Sequence, residues 1–65
     1  GQLTIDPKIS SQYDLEIYDA IGKSVYTEAN LNGRREYSEL NLTPGCYSIQ
    51  IRSKQRSIST KIIME

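Results

Sequence analysis

The sequence predicts an all-β fold, a small antiparallel sandwich of about six to seven short strands, on three observations. Apolar residues recur at every second position in several runs, most cleanly at Tyr13, Leu15, Ile17 and at Tyr47, Ile49, Ile51. Turn signals built on Gly and Pro separate those runs at intervals suited to short strands. No apolar period of 3.6 residues persists over ten residues, so no helix competes for the same segments.

In chain order, Leu3 and Ile5 share one face of a strand expected over 2–6. Asp6-Pro7 closes it, because proline lacks the N–H that a ladder needs. A strand over 13–19 sets Tyr13, Leu15 and Ile17 on one face and Asp14 and Glu16 on the other. Asp19-Ala20-Ile21-Gly22 fits a four-residue hairpin turn with Gly22 in the left-handed region, leading into a strand over 23–28 around Val25. Tyr18 and Tyr26 flank this turn with outward parity. Asn32-Gly33 signals the next turn, and a strand over 35–40 carries Tyr37 inward. Thr43-Pro44-Gly45-Cys46 then reads as a type II turn, Pro44 setting φ at about −65° and Gly45 supplying the positive φ that follows. The strand over 45–52 has Tyr47, Ile49 and Ile51 inward and Cys46 on the opposite parity. Ser53-Lys54-Gln55-Arg56 turns the chain into a last strand over 57–64, with Ile58, Thr60, Ile62 and Met64 inward. The expected core joins Leu15, Ile17, Tyr47, Ile49, Ile51 and Ile62.

Composition narrows the function. A chain of 65 residues makes one domain at most and buries only about 60% of the surface its unfolded form exposes. There is no Trp and no Phe, so five tyrosines and the Ile, Leu and Val set must build the core. Eight basic residues balance eight acidic ones, which argues against nucleic acid or anionic lipid as the main partner. One cysteine excludes an internal disulfide. With no histidine the usual zinc sets cannot be assembled, a hydrolytic nucleophile lacks its common base, and no cofactor is expected. The carboxylates fall at strand positions with outward parity, and six short strands leave little room for a pocket, so an enzyme is the least favoured class. No stretch is apolar enough for a transmembrane helix or signal-peptide core. The chain does not begin with Met and its third residue already reads as strand, so it is expected to be the excised end of a larger protein.

The order Leu15-Glu16-Ile17-Tyr18-Asp19, Ile21-Gly22-Lys23-Ser24-Val25-Tyr26, Leu40 to Ile51, and Ser59-Thr60-Lys61-Ile62-Ile63 resembles the C-terminal sorting domain of the type IX secretion system, the Por secretion tail. Three blocks match in sequence over residues 13 to 65: D-x-x-G-K-x-V-Y after a strand, L-x-L-x-P-G-x-Y-x-I-x-I, and a terminal T-K-I-I. Each block alone is common in β proteins; their order and spacing are specific. The resemblance implies an immunoglobulin-like sandwich at the end of a secreted cargo of Gram-negative bacteria. It implies as partners the outer-membrane translocon, its sortase-like components and the N-terminal cargo domain. It also implies that the tail is often cleaved on export, leaving the cargo on an anionic lipopolysaccharide at the cell surface or released. Two departures stand out. The Pro-Asn-Pro-like opening of the family is absent, so the lead-in strand is expected to be trimmed, and Cys46 stands where an aliphatic residue or Thr is commoner.

Several residues carry two readings. Gly22, Gly33, Pro44 and Gly45 serve turn geometry first, and the turns then display whatever surface docks; Tyr47 belongs with them as a structural residue. Cys46 reads as a small hydrophobe beside the turn, since no sequence neighbour would lower its pKa. Tyr18 and Tyr26 read as cross-strand packing, with an aromatic sugar platform as the functional alternative. That alternative belongs to the competing assignment, a carbohydrate-binding or adhesive surface module. Arg52, Lys54, Arg56 and Lys61 occupy the last hairpin without an acidic neighbour in sequence. They either keep a terminal edge soluble or, with Ile62 and Ile63, form a docking surface for the export machinery. An unpaired first or last strand would leave an open sheet edge through which two copies could pair.

Overall fold

The computed structural model describes residues 3–38 and 42–65, and these form six strands in two antiparallel sheets. The strands are β1 (Leu3–Ile5), β2 (Tyr13–Tyr18), β3 (Ser24–Leu31), β4 (Arg35–Tyr37), β5 (Gly45–Ser53) and β6 (Ser57–Met64). A four-stranded sheet runs in the order β3-β2-β5-β6, and a two-stranded sheet pairs β1 with β4. Every expected strand is present within a few residues of its expected ends. The expected extension of β4 through Glu39 and Leu40, like Asn41 after it, falls outside the described residues.

The core lies on one face of the larger sheet. Leu15 and Ile17 are fully shielded, Tyr13 and Ile49 nearly so, and Tyr47, Ile51 and Met64 complete that face. β1 contributes Ile5 from the smaller sheet, and the β1–β2 connection contributes Ile9, a loop residue that strand periodicity could not reveal. Ile58 and Ile62 are half-buried against this cluster, whereas Thr60, expected inward with them, is exposed.

Two turns follow local chemistry closely. In the β2–β3 turn Gly22 takes φ 88°, its N–H donates to the Asp19 carbonyl at 3.1 Å, and Asp19 Oδ1 accepts from the N–H groups of Ile21 (3.0 Å) and Lys23 (2.9 Å). In the β5–β6 turn the Ser53 N–H donates to the Arg56 carbonyl at 3.0 Å, while Ser53 Oγ accepts from the N–H groups of Gln55 and Arg56. A short polar side chain thus replaces backbone partners that the reversal removes.

The Pro44-Gly45 segment corrects the sequence expectation. Gly45 has φ 157°, far from the value of about +80° a type II turn requires at that position, and already pairs with Met64 as the first residue of β5. The positive φ expected of Gly45 is present, but at a value that glycine tolerates within the ladder and not in a type II turn, so the chain bends at Pro44 instead of closing a two-residue turn. The bend is held from four residues downstream, where the Tyr47 hydroxyl donates to the Thr43 carbonyl. That is the tyrosine-corner arrangement of immunoglobulin-like sandwiches, and it explains why Pro, Gly and Tyr occur at this spacing.

β3 also departs from simple alternation. Its register against β2 shifts twice, so that β3 uses an extra residue near Val25 and another near Asn30. Asn30 sits at φ 59°, with its N–H bonded to Asp14 Oδ1 at 3.1 Å. The shift reverses the expected parity of Tyr26, which pairs with Ile17 on the core side, and leaves Val25 exposed.

Candidate docking surface

The outer face of the four-stranded sheet, away from the core, has no layer over it among the described residues. Alternation within each strand places on it Asp14, Glu16 and Tyr18 from β2, Ser48, Gln50 and Arg52 from β5, and Ser57, Ser59, Lys61 and Ile63 from β6. Cross-strand register aligns them in rows: Ser57 with Arg52 and Asp14, Ser59 with Gln50 and Glu16, Lys61 with Ser48 and Tyr18. Small hydroxyl side chains along β6 keep this face low, so the few long basic side chains stand above it.

The structure gathers three of the four candidate cations at one end. Arg52 is the last residue but one of β5, and Lys54 and Arg56 lie in the turn that follows, all exposed. Lys61 is four residues beyond Ser57 on the same strand, about 14 Å along it at about 3.4 Å per residue, so it forms a separate positive point. Arg52 corrects the impression given by sequence proximity: its guanidinium lies 3.4 Å from Glu16 Oε1 on the adjacent strand β2, with Asp14 as its direct register partner. Among the described residues, no carboxylate pairs with Lys54, Arg56 or Lys61 at 4.0 Å or less. Ile63 is 73% exposed and lies opposite the exposed Cys46, while Ile62 points inward and packs against the core. Gly22, Gly33 and Pro44 are exposed at their reversals, and Tyr47 is buried beneath the Pro44 bend.

Sequence reasoning missed a polar cluster that joins the two sheets. Glu28 pairs in register with the fully buried Leu15 and therefore points to the inner side of β3, contrary to the outward parity expected of the carboxylates. Its Oε1 accepts from the hydroxyls of Tyr26 and Tyr37, both at 2.7 Å, and its Oε2 accepts from the Arg35 guanidinium at 3.1 Å. The rings of Tyr26 and Tyr37 meet edge to face with centroids 5.7 Å apart. The two tyrosine hydroxyls, then Arg35, hold the Glu28 carboxyl below the usual glutamate range. Burial first, then the bond to Glu28, pushes the Tyr37 phenol well above its ordinary value, and the bond to Glu28 raises that of Tyr26. The signal in the sequence was Tyr26-x-Glu28, two polar-tipped residues of one parity, readable as inward only once the shift at Val25 is known. Tyr18, by contrast, lies on the outer face with its hydroxyl donating to Glu16 Oε2 at 2.7 Å. Tyr18 and Tyr26 are therefore on opposite faces and make no shared aromatic platform.

An exposed, sparsely basic sheet face above a thin core suits recognition by another protein surface. Comparison with known proteins gives the class directly: the chain matches the secretion system C-terminal sorting domain over residues 1–65. No curated protein and no solved structure matches it. Because the match spans the chain from end to end, this protein belongs to the C-terminal sorting domain family and is a type IX secretion signal, the mark of proteins exported to the cell surface or extracellular space.

Proposed function

We propose that the export machinery reads this signal through the basic end of the β5–β6 hairpin and the outer face of β6, using Lys54, Arg56, Lys61 and Ile63 as contacts. The observation that supports this reading is that the three lysine and arginine side chains have no acidic partner among the described residues, on a face that no other layer covers. Arg52 serves the same surface from a fixed position, because Glu16 holds its guanidinium. Ile62 acts from beneath, anchoring β6 so that Lys61 and Ile63 project outward. At physiological ionic strength charge is screened over about 8 Å, so these groups steer encounter and then require close contact with an acidic receptor surface. Cleavage of the tail after export, with the cargo left on the cell surface or released, fits a signal whose recognition residues are confined to its last hairpin.

The test is charge reversal of Lys54, Arg56 and Lys61 to Glu in the domain fused to a reporter. Arg52 is left intact because reversing it beside Glu16 and Asp14 would place like charges together and unsettle the sheet. The folded variant should accumulate in the periplasm while the parent fusion reaches the cell surface. Normal export of the variant would refute docking through these charges.

A further inference from the structure

We propose that β6 is a self-complementary edge through which two copies of this domain join into one continuous eight-stranded sheet. The strand edges differ in a way that singles it out. β1 and β4 are three residues long, and β3 is broken by two register shifts, features that discourage strand addition. β6 pairs with β5 over eight residues without a shift and has no partner on its other side among the described residues.

The hydrogen-bonding parity of that edge follows from the turn. Ser53 and Arg56 form a bonded pair, so antiparallel alternation makes Ile51 with Ile58, Ile49 with Thr60 and Tyr47 with Ile62 the bonded pairs of the ladder. The backbone groups of Ser57, Ser59, Lys61 and Ile63 then point away from β5. A second β6 running antiparallel can bond only if these four residues face one another.

One register suits the side chains. With Thr60 opposite Thr60 of the second copy, Ser59 faces Lys61, Ser57 faces Ile63, and on the inner side Ile58 faces Ile62. Moving the pairing by two residues toward the C-terminus sets Lys61 against Lys61. Moving it the other way sets Ile58 against Thr60 and gives up both Ile58–Ile62 pairs. The chosen register also brings Glu65, the one acidic residue of the last hairpin region, opposite the Lys54-Gln55-Arg56 turn of the second copy, twice by symmetry. The inner side gains as well. Beside β6 an apolar cleft of about 270 Å³ opens between Leu3 and Ile5 of the smaller sheet, Pro7 just after β1, and Ile58 and Ile62 of the larger sheet. Pairing brings the clefts of the two copies together and closes each on its open side.

The experiment is a sedimentation equilibrium series on the 65-residue chain from micromolar to millimolar concentration. The mass should rise from 7.4 kDa toward twice that value. Ser59→Glu should tighten the dimer by about two- to thirtyfold, by placing a carboxylate against Lys61 of the second copy at two symmetric positions, and Ser59→Lys should weaken it comparably. Ser59→Pro, which removes an N–H that β5 does not use, should give a folded monomer by circular dichroism. A 7.4 kDa species at every concentration overturns the proposal and leaves the edge to a strand from another protein. A dimer whose affinity ignores both charge substitutions overturns the edge and register assigned here.

Discussion

Glu28 shows how much one side chain can decide in so thin a core. It accepts three hydrogen bonds from Tyr26, Tyr37 and Arg35, and so ties β3 of the larger sheet to β4 of the smaller. Its pKa is lower folded than unfolded, so its contribution is present above the unfolded glutamate value of about 4.3 and is lost as pH falls through the depressed folded value. The tyrosines act in the opposite direction. Their raised folded values mean stability is held below about pH 10 and lost above it, as the unfolded chain releases phenolic protons first. Melting temperature against pH should therefore plateau between these limits, and Glu28→Gln should flatten the acid limb and also weaken the alkaline one, which then rests chiefly on the burial of Tyr37. Packing sets the other residue-scale expectation. Ile49 is 2% exposed at the centre of β5, and Ile49→Ala should cost about 2–4 kcal/mol in denaturant unfolding, against a total of about 5 kcal/mol for a domain this small. A loss below about 0.5 kcal/mol would contradict its place in the core.

The elements differ in how firmly they are held, and in how plainly the sequence announced them. β2, β5 and β6 were legible because strict alternation survives in them: Tyr13-x-Leu15-x-Ile17 and Tyr47-x-Ile49-x-Ile51 are buried at each apolar position. β3 was legible as a strand but not in its facing, since each extra residue reverses parity beyond it, and that is why Tyr26 and Glu28 turned out inward. The Pro44-Gly45 bend was recognisable as a reversal, while its geometry depended on a hydroxyl from Tyr47 and a ladder partner, Met64, far along the chain. The candidate surface was legible as to residue type. Its partition was not, because the Arg52–Glu16 contact joins strands separated by most of the sequence. The smaller sheet is the least secured element, with only Leu3–Tyr37, Thr4–Glu36 and Ile5–Arg35 in register. Its amides should exchange with solvent through local opening, well before those of Leu15, Ile17 and Ile49, in a native-state hydrogen-exchange series. Uniform protection across both sheets would show that the two layers open only together.

At the scale of the whole molecule, the architecture separates a buried face that carries stability from an exposed outer face, the one proposed above for recognition. β6 belongs to both, with Ile58, Ile62 and Met64 turned inward and Lys61 and Ile63 outward. Changes to the exposed positions can therefore alter recognition while the fold persists, and this is the basis of the reporter and sedimentation experiments. The central pairing has a further consequence, one of timing. β2 lies against β5, with Tyr13 opposite Ser53, and the whole intervening stretch must be in hand before the two meet. Neither the N-terminal half nor any fragment stopping short of β5 can enclose Leu15 and Ile17, and non-local β topologies of this kind fold in milliseconds to seconds. The core of this domain consequently cannot close until its last strands are present, and any surface displayed by the finished sheet comes into being only at the end of the domain's own synthesis.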